Sequence, residues 1–258
     1  KISNKATNSA TFYTEKRGGL VAVDTTAAGS TGFGIFCSQS SNFGGGVGIN
    51  FAAYGTTSTI YLDLAVGSTI NCGTLSSGRS VVSFNEATLG SITYALIVDS
   101  AGGGWFIASD STTTTAYTAD GNNSTTITDI KIAGVNNTAG LYPGQKLTAA
   151  SNIVAGTRVV SVNSGAFTAV LDTATTGGAF NDLAITKEPI AKIIDADFPT
   201  NCVGAFSEMD GYIFVLALDG KLYNSDLNSV SSWTAGNFIP TNISTDAGVG
   251  CIKHKNYI

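Results

Sequence analysis

Asp210–Trp233 reads DGYIFVLALDGKLYNSDLNSVSSW. Tyr212–Leu218 is an apolar run rich in β-branched and aromatic residues, the composition of a buried strand. Asp219-Gly220 tolerates positive φ and suits a tight hairpin turn. Lys221–Ser225 then alternates polar and apolar side chains, as a return strand with one wet face should. Ser225, Asp226 and Trp233 mark the loop that leaves this second strand. The stretch predicts strand, turn, strand and an aspartate-bearing corner.

Elsewhere in the chain the same order recurs. TYALIVDS at 93–100 and GWFIASD at 104–110 echo YIFVLALDGKLYNSD. Val203-Gly204-Ala205-Phe206 followed by Gly211-Tyr212-Ile213 is matched by Val249-Gly250-Cys251-Ile252 followed by Asn256-Tyr257-Ile258, a spacing of 249 − 203 = 46 residues. Four-stranded propeller repeats recur at about 40–50 residues. A strand, a tight turn, a strand and an Asp loop ending in Trp resemble the Asp-box corner of β-propellers, without the usual glycine after the aspartate. Further strands are predicted at Thr11–Thr14, Phe33–Phe36, Ile49–Tyr54, Thr59–Leu64, Ser80–Phe84, Ile92–Asp99, Trp105–Ser109 and about Val249–Ile252.

Composition agrees with an all-β chain. Of 258 residues 31 are glycine, and only 12% are charged, which favours turns and strands over helices. The longest apolar run, Tyr212–Leu218, is far short of the roughly 18 residues that a spanning helix needs, so no membrane insertion is expected. A net charge of −5 argues against nonspecific nucleic-acid binding, which needs cations to replace phosphate counterions. The four cysteines, Cys37, Cys72, Cys202 and Cys251, form no CxxC pair and are expected to be buried thiols in a reducing compartment. The chain starts at Lys1 and stops in an apparent strand, so it is expected to be a segment of a longer protein.

Residues 118–185 differ from their surroundings. Pro143-Gly144, Ala155-Gly156 and Ser164-Gly165 are turn signals, and strands are predicted at Arg158–Val162 and Ala166–Leu171. Threonine-rich flanks at 112–115 and 175–178 suggest linkers. The expected organisation is a β-propeller split by an insertion. Its N-terminal portion is expected at 1–117, an inserted small β-sandwich or barrel-like domain at 118–185, and its C-terminal portion at 186–258. Insertions of this kind sit in exposed loops. The module's pattern resembles small β modules of phage tail and fibre proteins.

TFYTEKRGG at 11–19, DFPTN at 197–201, MDGYIFV at 209–215, GKLYNSDL at 220–227 and GVGCIKHKNYI at 248–258 together resemble the packaged-DNA stabilisation proteins of short-tailed bacteriophages, also called tail hub or nozzle proteins. The resemblance covers about 8–26 and 190–258, extends loosely over 80–110 and leaves out the module. It implies a structural virion protein of the phage tail, assembled in the host cytoplasm. Six propeller-bearing subunits would ring the channel below portal and adaptor proteins, hold a tail needle and tail fibres, retain the packaged DNA and form its ejection channel. Contact with genomic DNA would be passing only. The alternative is a tail or fibre protein that binds a host receptor or glycan through the inserted module.

Residues that carry chemistry are sparse, and no catalytic, cofactor-binding or metal residue is expected. A hydrolase triad needs a histidine base, and the one histidine, His254, stands between Lys253 and Lys255 in a predicted turn. Sialidases share the Asp-box and, as a family, clamp a carboxylate with three arginines. Here Arg17, Arg79 and Arg158 are the full complement, and Arg158 falls in the module. Asp195 and Asp197 are expected on one strand face, and Asp210, Asp219 and Asp226 in turns, where aspartates bond their own backbone. Asp63, Asp120 and Asp129 could ligate calcium but lack EF-hand spacing. Lys16-Arg17 reads as a solvated strand end, and Gly44-Gly45-Gly46 as a flexible loop, because no helix follows to bind phosphate. Trp105 and Trp233 are expected in the core rather than stacked on sugars. Tyr142, Phe167 and Phe180, the three aromatics of the inserted module, are expected to be its own core.

Overall fold

The computed structural model describes residues 2–4, 10–12, 32–38, 40–43, 50–54, 59–63, 69–75, 82–99, 101, 103–112, 116–241, 247–252 and 258. Arg17, Arg79 and His254, with the Lys16-Arg17 pair and the 44–46 glycines, lie outside them. The described chain is all-β, and every pairing is antiparallel.

β1 (Ile2–Asn4) and β2 (Ala10–Phe12) form a two-stranded ladder. β3 (Gly32–Cys37), β4 (Asn50–Tyr54), β5 (Thr59–Asp63) and β6 (Thr69–Thr74) follow as a four-stranded meander. β7 (Val82–Leu89), β8 (Ile92–Asp99) and β9 (Gly104–Ala108) start a second meander, which ends in a 3-10 turn at Ser109–Ser111. Its fourth strand arrives only after a long excursion through β10 (Tyr117–Asn122), β11 (Thr126–Ile132), β12 (Val135–Asn136), β13 (Gln145–Ala149), β14 (Val159–Asn163) and β15 (Thr168–Leu171). That strand is β16 (Ala179–Lys192), 14 residues long. A last meander comprises β17 (Cys202–Met209), β18 (Tyr212–Ala217), β19 (Lys221–Ser225) and β20 (Trp233–Pro240).

The middle sheet explains why its strands read as continuous apolar runs. Side chains alternate across a strand, so a strand covered on both faces has no wet side. In β8, Ala95 and Ile97 join Ile60, Leu62 and Cys72 of the first meander, together with Trp105, Ile107 and Ile190. Leu96 and Val98 point the other way and join Phe106, Phe206, Ile213, Val215 and Trp233. The three meanders thus stack face to face, the middle one sharing one apolar core with each neighbour. β18 repeats the device, since Phe214 and Leu216 leave the shared core and pack with Leu222, Cys251 and Ile258. The sheets do not close on themselves among the described residues.

Residues 117–185 have a core of their own, built on Tyr117, Ile127, Ile130, Leu147, Val159, Leu171 and Ile185. Strands run β13-β16-β10-β11-β15-β14, and one bridge, Lys146 to Arg158, brings the start of β14 back toward β13. The Gly144 N–H donates to Val159 O at 2.7 Å and the Leu147 N–H to Thr157 O at 2.9 Å across the same gap. β16 makes the module and the middle sheet continuous: its first half pairs with β10, and Ile190–Lys192 pair with Trp105–Ile107 of β9.

Several sequence expectations are corrected. The hairpin between β18 and β19 spans Leu218, Asp219 and Gly220, and of these only Gly220 has positive φ, so Leu218 leaves the strand and stands exposed. In this stretch a two-residue turn with both φ positive lies instead at Asp210-Gly211, joining Met209 to Tyr212. Asp195 and Asp197 sit in a turn past the end of β16, where the Asp197 N–H donates to Asp195 Oδ1 at 2.9 Å. Val249–Ile252 pairs in no ladder. Of the thiols, Cys72 and Cys202 are buried, Cys251 is half-buried and Cys37 is exposed.

Candidate functional site

The structure concentrates its polar chemistry where the module meets the middle sheet. Trp105, on β9, is buried there, and its Nε1–H donates to Asp99 Oδ2 at 3.1 Å. Asp99 is held in turn by the Gly103 N–H at 2.9 Å. Two cations flank the indole ring, one from the module and one from the paired strand: Arg158 Cζ lies 5.4 Å from the ring centroid and Lys192 Nζ 5.8 Å. The Arg158 guanidinium also donates to Gly144 O. Burial lowers its pKa, and Glu188 and Asp172 oppose that. Arg158 is therefore a packing cation of the seam. Gly144 itself, at φ 88°, leaves no room for a side chain, because a Cβ there would stand 1.8 Å from Lys192 O.

A second group surrounds Asp110, which lies on the 3-10 turn. The Tyr142 hydroxyl donates to Asp110 Oδ1 at 2.8 Å and Oδ2 at 3.0 Å. Burial raises the Tyr142 pKa, and the Asp110 carboxylate raises it further. Tyr94, Phe106 and Tyr142 meet edge to face, with centroids 5.8–6.4 Å apart. Tyr142 thus belongs to the seam with the middle sheet. Phe180 packs on the module core. Phe167 instead lines an open groove of about 380 Å³ with Asp110, Asn137, Thr138, Tyr142 and Ser164. Hydroxyl, amide and carboxylate groups beside two aromatic rings are chemistry suited to a sugar.

Beneath this groove lies a buried network that joins three elements. Ser111, Gln145 and Lys187 are buried, and Lys187 Nζ donates to Ser111 O at 3.0 Å and Ser111 Oγ at 2.6 Å. Gln145 Nε2 donates to Ser111 Oγ at 2.6 Å. No sequence motif marks these residues, since they are 34 and 76 positions apart.

The calcium candidates divide. Asp63 closes β5, and its side chain lies outside the described residues. Asp120 and Asp129 do come together, joined by Asp182, with one oxygen of each within 4.8 Å of the others. Lys131 Nζ pairs with Asp129 and, at 3.2 Å, with Asp182. The Asp182 N–H donates to Asp120 Oδ1 at 2.7 Å. Within the cluster, Lys131 pairs with two of the three carboxylates.

The turn aspartates bond their surroundings. Asp226 accepts Ser232 Oγ–H at 2.6 Å and Thr234 Oγ1–H at 2.7 Å, tying the corner that leads to Trp233. Asp219 accepts the Lys221 N–H and the Tyr223 hydroxyl. Asp195 Oδ2 accepts the Trp233 N–H at 3.2 Å. Trp233 is buried against Phe198, edge to face at 4.9 Å, so its ring faces the core. No family model, curated protein or solved structure matches this chain.

Proposed function

We propose that this chain is a structural virion protein of a short-tailed phage, a tail hub or nozzle subunit built on a β-propeller that carries a barrel-like module. The observation that carries this reading is the stack of three four-stranded meanders sharing cores in chain order. Radial repetition of such sheets gives stiff walls with short, protected edges. The module enters between the third and fourth strands of the middle sheet, so repetition continues past it. A net charge of −5 suits a conduit that DNA must traverse without sticking. The proposed role is assembly and retention of DNA in a ring, most simply a hexamer beneath portal and adaptor proteins, with no catalysis. Electron microscopy of the virion tests it. Density for this chain in a ring below the portal supports the reading, and density on the capsid shell or at fibre tips overturns it.

The groove at Asp110, Tyr142 and Phe167 favours a second reading, a tail protein that binds a host glycan through the module. Binding to a glycan array that Asp110→Ala abolishes would support it. An array with no signal would count against it.

A further inference from the structure

Ser111 Oγ stands at the centre of a solvent-excluded set of reactive groups. Lys187 Nζ and Gln145 Nε2 each donate to it at 2.6 Å, and it donates to Gly140 O at 3.0 Å. Ser111 and Gln145 are fully buried, and Lys187 is 4% exposed. The Gln145 amide is held at both ends. Its Oε1 accepts the Tyr142 N–H at 2.8 Å, which fixes which end is oxygen, and its Nε2 donates to Pro189 O at 3.2 Å. A hydroxyl, an amine and a polarised primary amide are thus locked together by the 3-10 turn after β9, by β13 and by β16.

We propose that Ser111 and Gln145 form an intramolecular ester that covalently ties the middle sheet to the module. Ser111 Oγ attacks Gln145 Cδ after its side chain rotates from the amide plane onto the carbonyl face. The hydroxyl hydrogen turns from Gly140 O to Lys187 Nζ, which as the neutral amine takes that proton. The Tyr142 N–H stabilises the charge that gathers on Oε1. The Cδ–Nε2 bond then breaks, the proton passes from Lys187 to the departing nitrogen, and ammonia leaves. One C–O bond forms, one C–N bond breaks, and no redox partner is needed.

Three features support the step. Prepositioned groups replace a bimolecular encounter with an internal one. Burial lowers the Lys187 pKa to about 8, against weaker opposition from Asp110 and Cys72, so the amine form is accessible near neutral pH. The exclusion of solvent that favours attack also shields the ester from hydrolysis. A buried ammonium bonded only to neutral oxygens is an expensive way to pin two elements, whereas an amine base in that place is not.

Intact-mass spectrometry of the folded, purified chain, incubated at about pH 9, tests the proposal. The expected mass is that of the sequence less one ammonia, with fragmentation placing the link between the peptides carrying Ser111 and Gln145. Hydroxylamine should cleave that link after unfolding. Ser111→Ala, checked as folded by circular dichroism, should keep the full mass. Lys187→Met should lose ammonia at least tenfold more slowly. Full sequence mass in the folded wild-type protein overturns the proposal even if both variants fail to fold. A hydroxylamine-resistant link from Lys187 to Gln145 also overturns it.

Discussion

Lys187 Nζ lies 2.6 Å from Ser111 Oγ, and both side chains are buried. The lysine is carried by the stretch of β16 that passes from the module into the middle sheet, and the serine closes the 3-10 turn after β9. One contact therefore joins the two structural units, and its strength depends on protonation.

That dependence has a definite sign. Burial lowers the folded pKa of Lys187 to about 8 from an ordinary 10.5. Between those values the unfolded chain holds a proton that the folded chain has released, so stability rises with pH through this window. Cys72 and Cys202, pushed up to about 12 by burial, oppose the trend above pH 9. Tyr117 and Tyr142, also raised by burial, oppose it above pH 10. The difference between wild type and Lys187→Met isolates the lysine. On protein of full sequence mass, before any Ser111–Gln145 ester has formed, we expect the variant to melt at or above the wild-type temperature at pH 7, and this advantage to shrink by up to about 3 kcal/mol toward pH 10. A difference in melting temperature that stays flat across the pH series would refute this.

Gly144 should not tolerate a side chain. Its φ is 88°, and a Cβ would stand 1.8 Å from the Lys192 carbonyl. Gly144→Ala is expected to destabilise by about 3 kcal/mol or more. Gly134 has a comparable φ of 78° but open space around it, so Gly134→Ala should cost only about 1 kcal/mol. Urea denaturation of both variants separates the steric effect from the backbone effect.

Trp233→Ala should remove one wall of the core shared by the middle and last meanders. The ring is buried and packs on Phe198 at 4.9 Å. A loss of about 3–5 kcal/mol is expected from urea denaturation. Arrangement of the same residue on a sugar-binding surface would instead leave stability nearly unchanged.

Thiol reactivity should separate the four cysteines. Cys37 is exposed, whereas Cys72 and Cys202 are buried with pKa values of about 12. A disulfide reagent at neutral pH should modify Cys37 first and Cys251 more slowly. Cys72 and Cys202 should react only after unfolding, because the thiolate is the nucleophile and burial suppresses it. Peptide mapping of the native protein checks the order.

The sequence by itself determined many of the strands and some of what ends them, but not β6, β10, β11, β12 or β13. Ile92–Asp99 was legible as a β-branched and aromatic run bounded by turn residues, and Lys221–Ser225 by its alternation of polar and apolar side chains. The role of Asp226 as a corner residue was equally local. Tertiary structure decided the rest. Residues 191–198 show no period that would reveal where β16 stops, so Asp195 and Asp197 read as strand although they form its closing turn. Leu218 reads as strand although the three-residue turn claims it, because an apolar residue at a hairpin mouth carries no mark of its register. Asp182 joins Asp120 across 62 positions, and Ser111 meets Gln145 and Lys187 across 34 and 76. Their chemistry depends on antiparallel register and on burial between sheets, and neither quantity exists until distant strands have paired.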